Sequence, residues 1–160
     1  MITNENIIEF KKRMDDTVRD IFIKNKYVEP MIVIFAIVDG EEKQIIMPLG
    51  VAFNNLDKDS ISAIIKEICS TMNVIYLSFV SEGWSVESDS NNMTNIVPSE
   101  SKDRKEIIMV THETQHTSEI HMFDVIRDDE NNLVISDNPI IVNEYKGKFC
   151  DFLGSTPILN

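Results

Sequence analysis

One apolar run constrains the fold of this chain more than any other feature. Residues 31–38 (Met-Ile-Val-Ile-Phe-Ala-Ile-Val) contain no polar side chain and are rich in β-branched residues. This predicts a β-strand that is apolar on both faces and therefore central in its sheet. Asp39 and Gly40 follow directly, and Asp-Gly between two strands is typical of a tight hairpin turn. We therefore expect an antiparallel partner strand at about residues 43–48.

Two segments have the apolar spacing of helices. In the first, apolar residues recur at helical intervals over about residues 4–25, with Thr3 or Asn4 as the N-cap. The second helix is predicted to begin at Asp57 or Asp59. Five of its apolar residues share one helix face, which we expect to pack on the sheet: Ile61, Ile64, Ile65, Ile68 and Met72.

The pattern further along the chain completes the fold class. Strands are predicted at residues 74–80, 105–112, 119–127, 133–135 and 140–142. Polar residues at about 85–103 predict a long loop, and a loosely ordered tail is expected from about 145. We therefore expect one α+β domain over residues 1–160, with an antiparallel sheet of five or six strands and two helices on one face. The order α-β-β-α-β-β-β is similar to that of roadblock-type and profilin-like domains.

The segment His112-Glu113-Thr114-Gln115-His116 matches the HExxH pattern of zinc proteases. That pattern works on a helix, where both imidazoles reach one Zn²⁺ and the glutamate activates the bound water. Both flanks predict strands, so we expect residues 111–118 to be non-helical and interpret the motif as solvated turn residues. We expect no metal and no other cofactor. The alternative is a metal pair of His112 and His116.

The charge of the chain limits the classes of partner. The formal net charge is −12, and residues 1–26 carry six bases and five acids, so residues 27–160 carry about −13. Such an acidic body repels phosphate backbones, which excludes direct binding to nucleic acid. It is compatible with a protein partner that has a basic surface.

The cysteines and the apolar runs indicate a compartment. Cys69 and Cys150 lie in unlike contexts, which is typical of a reducing cytosol rather than of a disulfide framework. Residues 1–6 lack the basic and apolar segments of a signal peptide, and residues 31–38 are too few to span a bilayer. We therefore expect a cytoplasmic protein without membrane contact.

Two motifs flank the long polar loop. Ser81-Glu82-Gly83-Trp84 precedes it, and Pro98-Ser99 and Asp103-Arg104-Lys105-Glu106 follow. These segments resemble a family of small bacterial and bacteriophage proteins that have Ser-Glu-(Ala/Gly)-Trp, Pro-Ser and Asp-Arg-x-Glu motifs before an Ile-Ile-Met-Val strand. The resemblance extends loosely over residues 5–128 and departs from the family after Val110. It implies no catalytic residue, and it suggests an anti-defence or host-takeover role.

We predict a ligand-binding site at Glu82, Trp84, Arg104 and Glu106. Arg104 either pairs with Glu82 or Glu106 and holds the loop ends together, or it binds a ligand phosphate or carboxylate while Trp84 stacks on a base. The sequence has no nucleophile elbow, Walker loop or dinucleotide glycine fingerprint. This site therefore predicts binding and not catalysis.

The function that follows is that of a non-enzymatic acidic protein that engages a host protein with a basic surface. One alternative is a protein that sequesters a nucleotide-like signal at Trp84 and Arg104. The other is a zinc hydrolase that uses His112, Glu113 and His116. A homodimer is left open.

Overall fold

The computed structural model describes residues 3–86, 102–143 and 152–154. These residues form an α+β fold with one antiparallel sheet. The elements in chain order are α1 (Asn4–Asn25), β1 (Met31–Val38), β2 (Glu41–Pro48), α2 (Gly50–Asn55), α3 (Lys58–Ser70), β3 (Asn73–Ser85), β4 (Lys105–Glu113), β5 (Ser118–Arg127), β6 (Leu133–Ile135) and β7 (Ile140–Val142). The loop expected at 85–103 and the tail expected from 145 lie mostly outside the described residues.

Strand β1 lies inside the sheet, as its apolar sequence predicts. The strand order is β2-β1-β3-β4-β5-β6, and β7 pairs with β5. Asp39 and Gly40 close the β1–β2 hairpin with φ angles of 54° and 81°, the positive values that a type I′ turn requires. Among the described residues β2 pairs with β1 alone, so β2 is an edge strand.

Helix α1 begins and ends where the sequence predicts. The Thr3 hydroxyl accepts a hydrogen bond from the backbone N–H of Asn6 at 3.3 Å, and the Asn6 side chain accepts one from the backbone N–H of Thr3 at 2.8 Å. This reciprocal pair is a capping box. At the other end, Lys26 takes the left-handed conformation and its N–H donates to the carbonyl of Phe22.

Helices cover both faces of the sheet. Helix α1 packs through Phe22 on a cluster that includes Val33, whereas α3 packs through Ile65 on a cluster that includes Ile32 and Ile34. Neighbouring residues of a strand point to opposite faces, so the two helices lie on opposite sides, which we call the α1 face and the α3 face. The expectation of both helices on one face is wrong, because a strand that is apolar on both sides requires cover on both.

The second predicted helix is preceded by a short helix, α2, that the sequence did not indicate. Helix α2 has no side-chain cap, and its six residues are too few for its apolar residues to show a helical period. The cap of α3 is Asp57, whose carboxylate accepts a hydrogen bond from the N–H of Ser60 at 2.9 Å.

The apolar face of α3 is only partly buried. Ile61 and Ile65 are 2% and 1% exposed, as expected for residues that face the sheet. Ile68 and Met72 are partly buried against the same cluster. Ile64 is 46% exposed, so the prediction that it packs on the sheet is wrong. Its position on the helix turns it toward the edge strand instead.

Strand β3 is longer than predicted. It runs to Ser85 rather than to residue 80, because the segment from Ser81 to Trp84 continues the pairing with β4. The other predicted strands agree with the structure within two residues at each end. Within the described residues, no helix has the length and apolar character needed to cross a membrane.

Candidate functional site

A group of buried polar side chains lies between α1 and the sheet. It consists of Asp15 from α1, His112 from β4 and His121 from β5, and we call these three the Asp–His cluster. His112 is fully buried and His121 is 6% exposed, while the side chain of Asp15 is 14% exposed. His112 shares the α1 face with Ile108 and Val110, because alternate residues of a strand point the same way.

His121 is held by two carboxylates. Its Nδ1–H donates to Oδ2 of Asp15 at 2.7 Å, and its Nε2–H donates to Oε1 of Glu119 at 2.9 Å. Since a carboxylate accepts, both ring nitrogens carry protons and the ring is an imidazolium. The Nζ atom of Lys11 lies 2.9 Å from the same Glu119 oxygen. The cations of His121 and Lys11 therefore alternate with the carboxylates of Asp15 and Glu119, and the charges of these four groups cancel.

His112 is held as a neutral imidazole. Its Nε2–H donates to Oδ1 of Asp15 at 3.2 Å, and its Nδ1 accepts a hydrogen bond from the hydroxyl of Tyr76 at 2.6 Å. One donor and one acceptor are the complement of a neutral ring with its proton on Nε2. The centres of the His112 and His121 rings are 4.4 Å apart, so a neutral His112 avoids a like charge beside the imidazolium.

The pKa shifts of these groups agree with the protonation states that their hydrogen bonds indicate, although burial and pairing act in opposite directions on each pKa. Burial lowers the pKa of His112 and outweighs the opposing hydrogen bond to Asp15. Burial also lowers the pKa of His121, but the hydrogen bonds and charges of Asp15 and Glu119 outweigh it and raise this pKa. Burial raises the pKa values of both carboxyl groups, yet their hydrogen bonds and cationic neighbours leave each pKa below its ordinary value.

The Asp–His cluster has the donor atoms of a metal site. One ligand atom from each of Asp15, His112 and His121 lies within 4.8 Å of the other two. Two imidazoles and one carboxylate are the ligands of many zinc and non-haem iron sites. Over residues 3–86, 102–143 and 152–154, no other group of three such side chains converges in this way.

The HExxH residues do not form a zinc-protease site. Residues 111–118 contain no helix, as predicted, and His116 lies in the turn between β4 and β5. His112 and Glu113 belong to β4 and point to opposite faces of the sheet. Their interpretation as solvated turn residues is wrong, because β4 continues through both and buries them completely. The residue beside His112 is His121, so the alternative pair with His116 is also wrong.

Glu113 binds residues 152 and 153 to the α3 face. Its Oε2 accepts hydrogen bonds from the N–H groups of Phe152 at 2.8 Å and Leu153 at 3.2 Å. The Phe152 ring is buried with its centre 6.1 Å from that of Phe79. Burial, followed by the negative charge of Glu113, raises the pKa of the Cys69 thiol to about 11. This thiol is therefore protonated and unreactive at neutral pH.

Three of the residues predicted as a ligand site, Glu82, Trp84 and Glu106, lie on adjacent strands, and Arg104 directly precedes β4. Trp84 and Glu106 are paired positions of β3 and β4, and the guanidinium carbon of Arg104 lies 4.4 Å from the centre of the Trp84 ring. The predicted proximity of Trp84 and Arg104 is thus confirmed. Trp84 is 42% exposed. Glu82 accepts a hydrogen bond from the N–H of Val28 at 2.7 Å, so it ties the segment after α1 to β3.

An apolar groove opens beside the edge strand. It has a volume of about 360 Å³ and lies between β2, α2 and α3. Two of the side chains that line it are well exposed: Leu56 (45%) and Ile64 (46%). Ile46 borders the groove from β2, but its side chain lies on the α1 face with that of its paired residue Val33. An apolar concavity next to an edge strand is a common form of protein-binding surface. We call it the β2–α3 groove.

Sequence reasoning missed Asp15, Glu119 and His121. Asp15 follows the buried Met14 in α1 and looks like an ordinary surface residue of an amphipathic helix. One signal was present, however. In a hairpin that turns at 114–117, Glu119 lies opposite His112 and His121 lies two residues further on the same face. The period of β5 therefore predicts that both histidines share a face.

No family model matches the chain, and neither a curated protein nor a solved structure matches it. The resemblance of the segments 81–84 and 103–106 to small bacterial and bacteriophage proteins stays a prediction.

Proposed function

We propose that this protein binds a protein partner through the β2–α3 groove and catalyses no reaction. The observation that carries the proposal is the exposure of the apolar side chains that line the groove. Ile64 is 46% exposed, although the adjacent Ile65 is 1% exposed. Covering the exposed part of one such side chain stabilises a complex by about 1 kcal/mol. The exposed side chains of the groove together therefore favour association with a partner.

The charges near the groove define the partner. The segments that border it, residues 41–48 and 57–70, carry five acidic residues and three lysines, and the whole chain has a net charge of −12. A partner with a basic rim around apolar side chains complements both features. A negatively charged nucleic acid would meet repulsion from the same residues.

The edge of β2 supports the same role. Its eight residues, Glu41 to Pro48, pair with β1 on one side alone among the described strands. An edge of this length accepts an added strand from another chain, with main-chain hydrogen bonds supplying affinity and the neighbouring groove supplying selectivity. Pro48 and the charged residues at the start of β2 restrict non-specific pairing.

The groove is tested with two matched isoleucine variants. Ile64→Asp places a charge in the groove, whereas Ile126→Asp places one on β5 at a side chain that is 58% exposed. Both variants should fold, because neither isoleucine is buried. The tagged protein is incubated with extract of its own host at low ionic strength, and the complex is crosslinked through lysines. We expect crosslinks at Lys43, Lys58 or Lys66, loss of the partner with Ile64→Asp and its retention with Ile126→Asp.

Two results would contradict the proposal. One is a partner retained equally by both variants, and the other is crosslinks confined to lysines of α1. Association rates should also fall as salt rises, since a Debye length of about 8 Å at physiological ionic strength leaves only close charges effective. Sedimentation of the isolated protein identifies the case in which the partner is a second copy of the chain.

The cellular setting is part of the proposal. A cytoplasmic protein of bacterial or bacteriophage type, as the motifs at 81–84 and 103–106 suggest, would meet a host protein directly. Binding to this host protein would then serve an anti-defence or host-takeover role. The similarity in element order to roadblock-type and profilin-like domains is an analogy of fold and supports no particular partner.

A second candidate is the sequestration of a nucleotide-like ligand at Trp84. The observation in its favour is that the exposed indole already stacks with a guanidinium at 4.4 Å, a geometry that an aromatic base with a phosphate can share. Trp84 is the single tryptophan of the chain, so its fluorescence reports on this position alone. Saturable quenching by a nucleotide, lost in Arg104→Ala and kept in Arg127→Ala, would favour this candidate. An unchanged spectrum across a nucleotide panel would remove it.

A further inference from the structure

The Asp–His cluster unites side chains from three separate elements of the fold. Asp15 comes from α1, His112 from β4 and His121 from β5, and their ligand atoms lie within 4.8 Å of one another. The groups are buried on the side of the sheet opposite to α3. Buried imidazoles that converge on one carboxylate are either a structural hydrogen-bond network or the ligands of an ion, and the surroundings distinguish the two.

We propose that Asp15, His112 and His121 bind one divalent transition-metal ion of the Zn²⁺ class. The ligand atoms are Nε2 of His112, Nδ1 of His121 and a carboxylate oxygen of Asp15. Imidazole nitrogen selects zinc, cobalt, nickel and iron over the harder Mg²⁺ and Ca²⁺, which prefer oxygen ligands. This site does not depend on partner binding at the β2–α3 groove, which involves other residues.

The distances fit such an ion after a small movement. Asp15 Oδ1 lies 3.2 Å from His112 Nε2, and Asp15 Oδ2 lies 2.7 Å from His121 Nδ1. Ligands that bind Zn²⁺ tetrahedrally at about 2.0 Å are about 3.3 Å apart. Each of these two contacts is within about 1 Å of that separation, and the ligand atoms of all three residues lie within 4.8 Å of one another, so rotation of the side chains is enough to bring them to one ion.

The outer contacts are those of metal-bound histidines. A metal-binding histidine donates its other ring N–H to a carboxylate or another oxygen, which orients the ring. Nε2 of His121 has this contact with Glu119 at 2.9 Å, and Lys11 holds the same carboxylate. Nδ1 of His112 lies 2.6 Å from the hydroxyl of Tyr76, so it can donate to this oxygen once Nε2 binds the metal. In each histidine, one ring nitrogen contacts the outer partner, and the other faces the cluster, where it can bind the metal.

Metal binding requires His121 to lose one proton and His112 to shift its proton from one ring nitrogen to the other. Nδ1 of His121 releases its proton to solvent, and the ring keeps the Nε2 proton that binds Glu119. The proton of His112 moves from Nε2 to Nδ1, from which it is donated to the Tyr76 oxygen. The three protein ligands leave one position for a water, as in other zinc sites with three ligands.

The site is tested by titrating the full-length protein, stripped with a chelator, with Zn²⁺ and with Co²⁺. We expect one equivalent of metal and a visible Co²⁺ spectrum typical of nitrogen and oxygen ligands. His121→Gln should weaken binding at least about 100-fold, and Glu119→Gln should weaken it about 10- to 100-fold without changing the stoichiometry. His116→Gln is the matched control, because this exposed histidine of the β4–β5 turn lies outside the cluster.

Histidine nitrogen NMR of the wild-type protein keeps the proposal testable if a variant fails to fold. We expect metal to shift Nε2 of His112 and Nδ1 of His121 and to leave both nitrogens of His116 in place. Absence of saturable binding by the wild type, equal binding by His121→Gln, or a Co²⁺ spectrum of thiolate ligands would overturn the proposal. In the first two cases the cluster is a structural network alone.

Discussion

Oδ2 of Asp15 lies 2.7 Å from Nδ1 of His121, although the two residues are 106 positions apart in the chain. The contact joins α1 to β5, and the other oxygen of the same carboxylate holds His112 on β4. Elsewhere α1 packs on the sheet through apolar side chains such as Val18 and Phe22, and Lys11 of α1 pairs with Glu119 of β5. Because a hydrogen bond is directional and an apolar contact is not, the two hydrogen bonds of Asp15 restrict how α1 is oriented on the sheet.

Asp15→Asn should destabilise the metal-free protein by about 2–3 kcal/mol, because it leaves a buried imidazolium without one of its two countercharges. Urea denaturation measures the change. Asp16→Asn is the control: Asp16 pairs with Lys12 at the surface, and an exposed pair of this kind is worth less than about 1 kcal/mol. Equal losses in the two variants would show that Asp15 has no special role.

The two buried histidines should titrate on opposite sides of the ordinary histidine pKa of 6.5. NMR of the metal-free protein should show that His121 keeps its proton above pH 6.5, while His112 remains neutral below it. Titration of His112 at a higher pH than His121 would contradict the protonation states inferred from their hydrogen bonds.

These titrations predict how stability depends on pH. The folded pKa of His121 is raised, so its contribution is complete below about pH 6.5 and is lost as pH rises through that pKa. The folded pKa of His112 is lowered, so as pH falls below 6.5 the unfolded chain binds a proton first and stability decreases. The lowered carboxyl pKa values of Asp15 and Glu119 add a further loss in acid. Urea midpoints should therefore peak near pH 6.5, and a steady rise to pH 8 would contradict this account.

Ile65→Asp should unfold the domain, because it buries an unpaired charge in the core of the α3 face. The neighbouring substitution Ile64→Asp should change the free energy of unfolding by less than about 1 kcal/mol, since that side chain is 46% exposed. Thermal denaturation followed by circular dichroism compares the two. A cooperative melt of Ile65→Asp near the wild-type midpoint would refute the packing described for α3.

Glu113→Gln should lower stability by about 1–2 kcal/mol, because it weakens the hydrogen bonds to the N–H groups of Phe152 and Leu153. The pKa of the Cys69 thiol should decrease but stay above its ordinary value of 9.0, since burial is the larger of its two causes. Alkylation rates against pH measure this pKa in a Cys150→Ser background. A thiol pKa of 9.0 in the variant would mean that the charge of Glu113, and not burial, is dominant.

Several elements could be predicted because their causes are local. The run at 31–38 and the Asp39-Gly40 turn predict a central strand and its hairpin, and Thr3 predicts the start of α1. The strands on both sides of the HExxH motif excluded a helix there. The contact of Trp84 with Arg104 was also predictable, since the two residues flank one loop between paired strands. Each inference uses preferences that act over a few residues of backbone.

By itself the sequence determined the α+β class, most element boundaries and the non-helical state of residues 111–118. Only the tertiary structure decided that α1 and α3 lie on opposite faces and that Asp15 meets His112 and His121. These contacts join residues 97 and 106 positions apart, and no local pattern specifies which helix face reaches which strand. The exposed Ile64 was unpredictable for the same reason, since helical spacing identifies an apolar face but not where the sheet ends beneath it. Packing decides both where the helices lie and which apolar side chains stay exposed, because it depends on the summed burial of all elements at once.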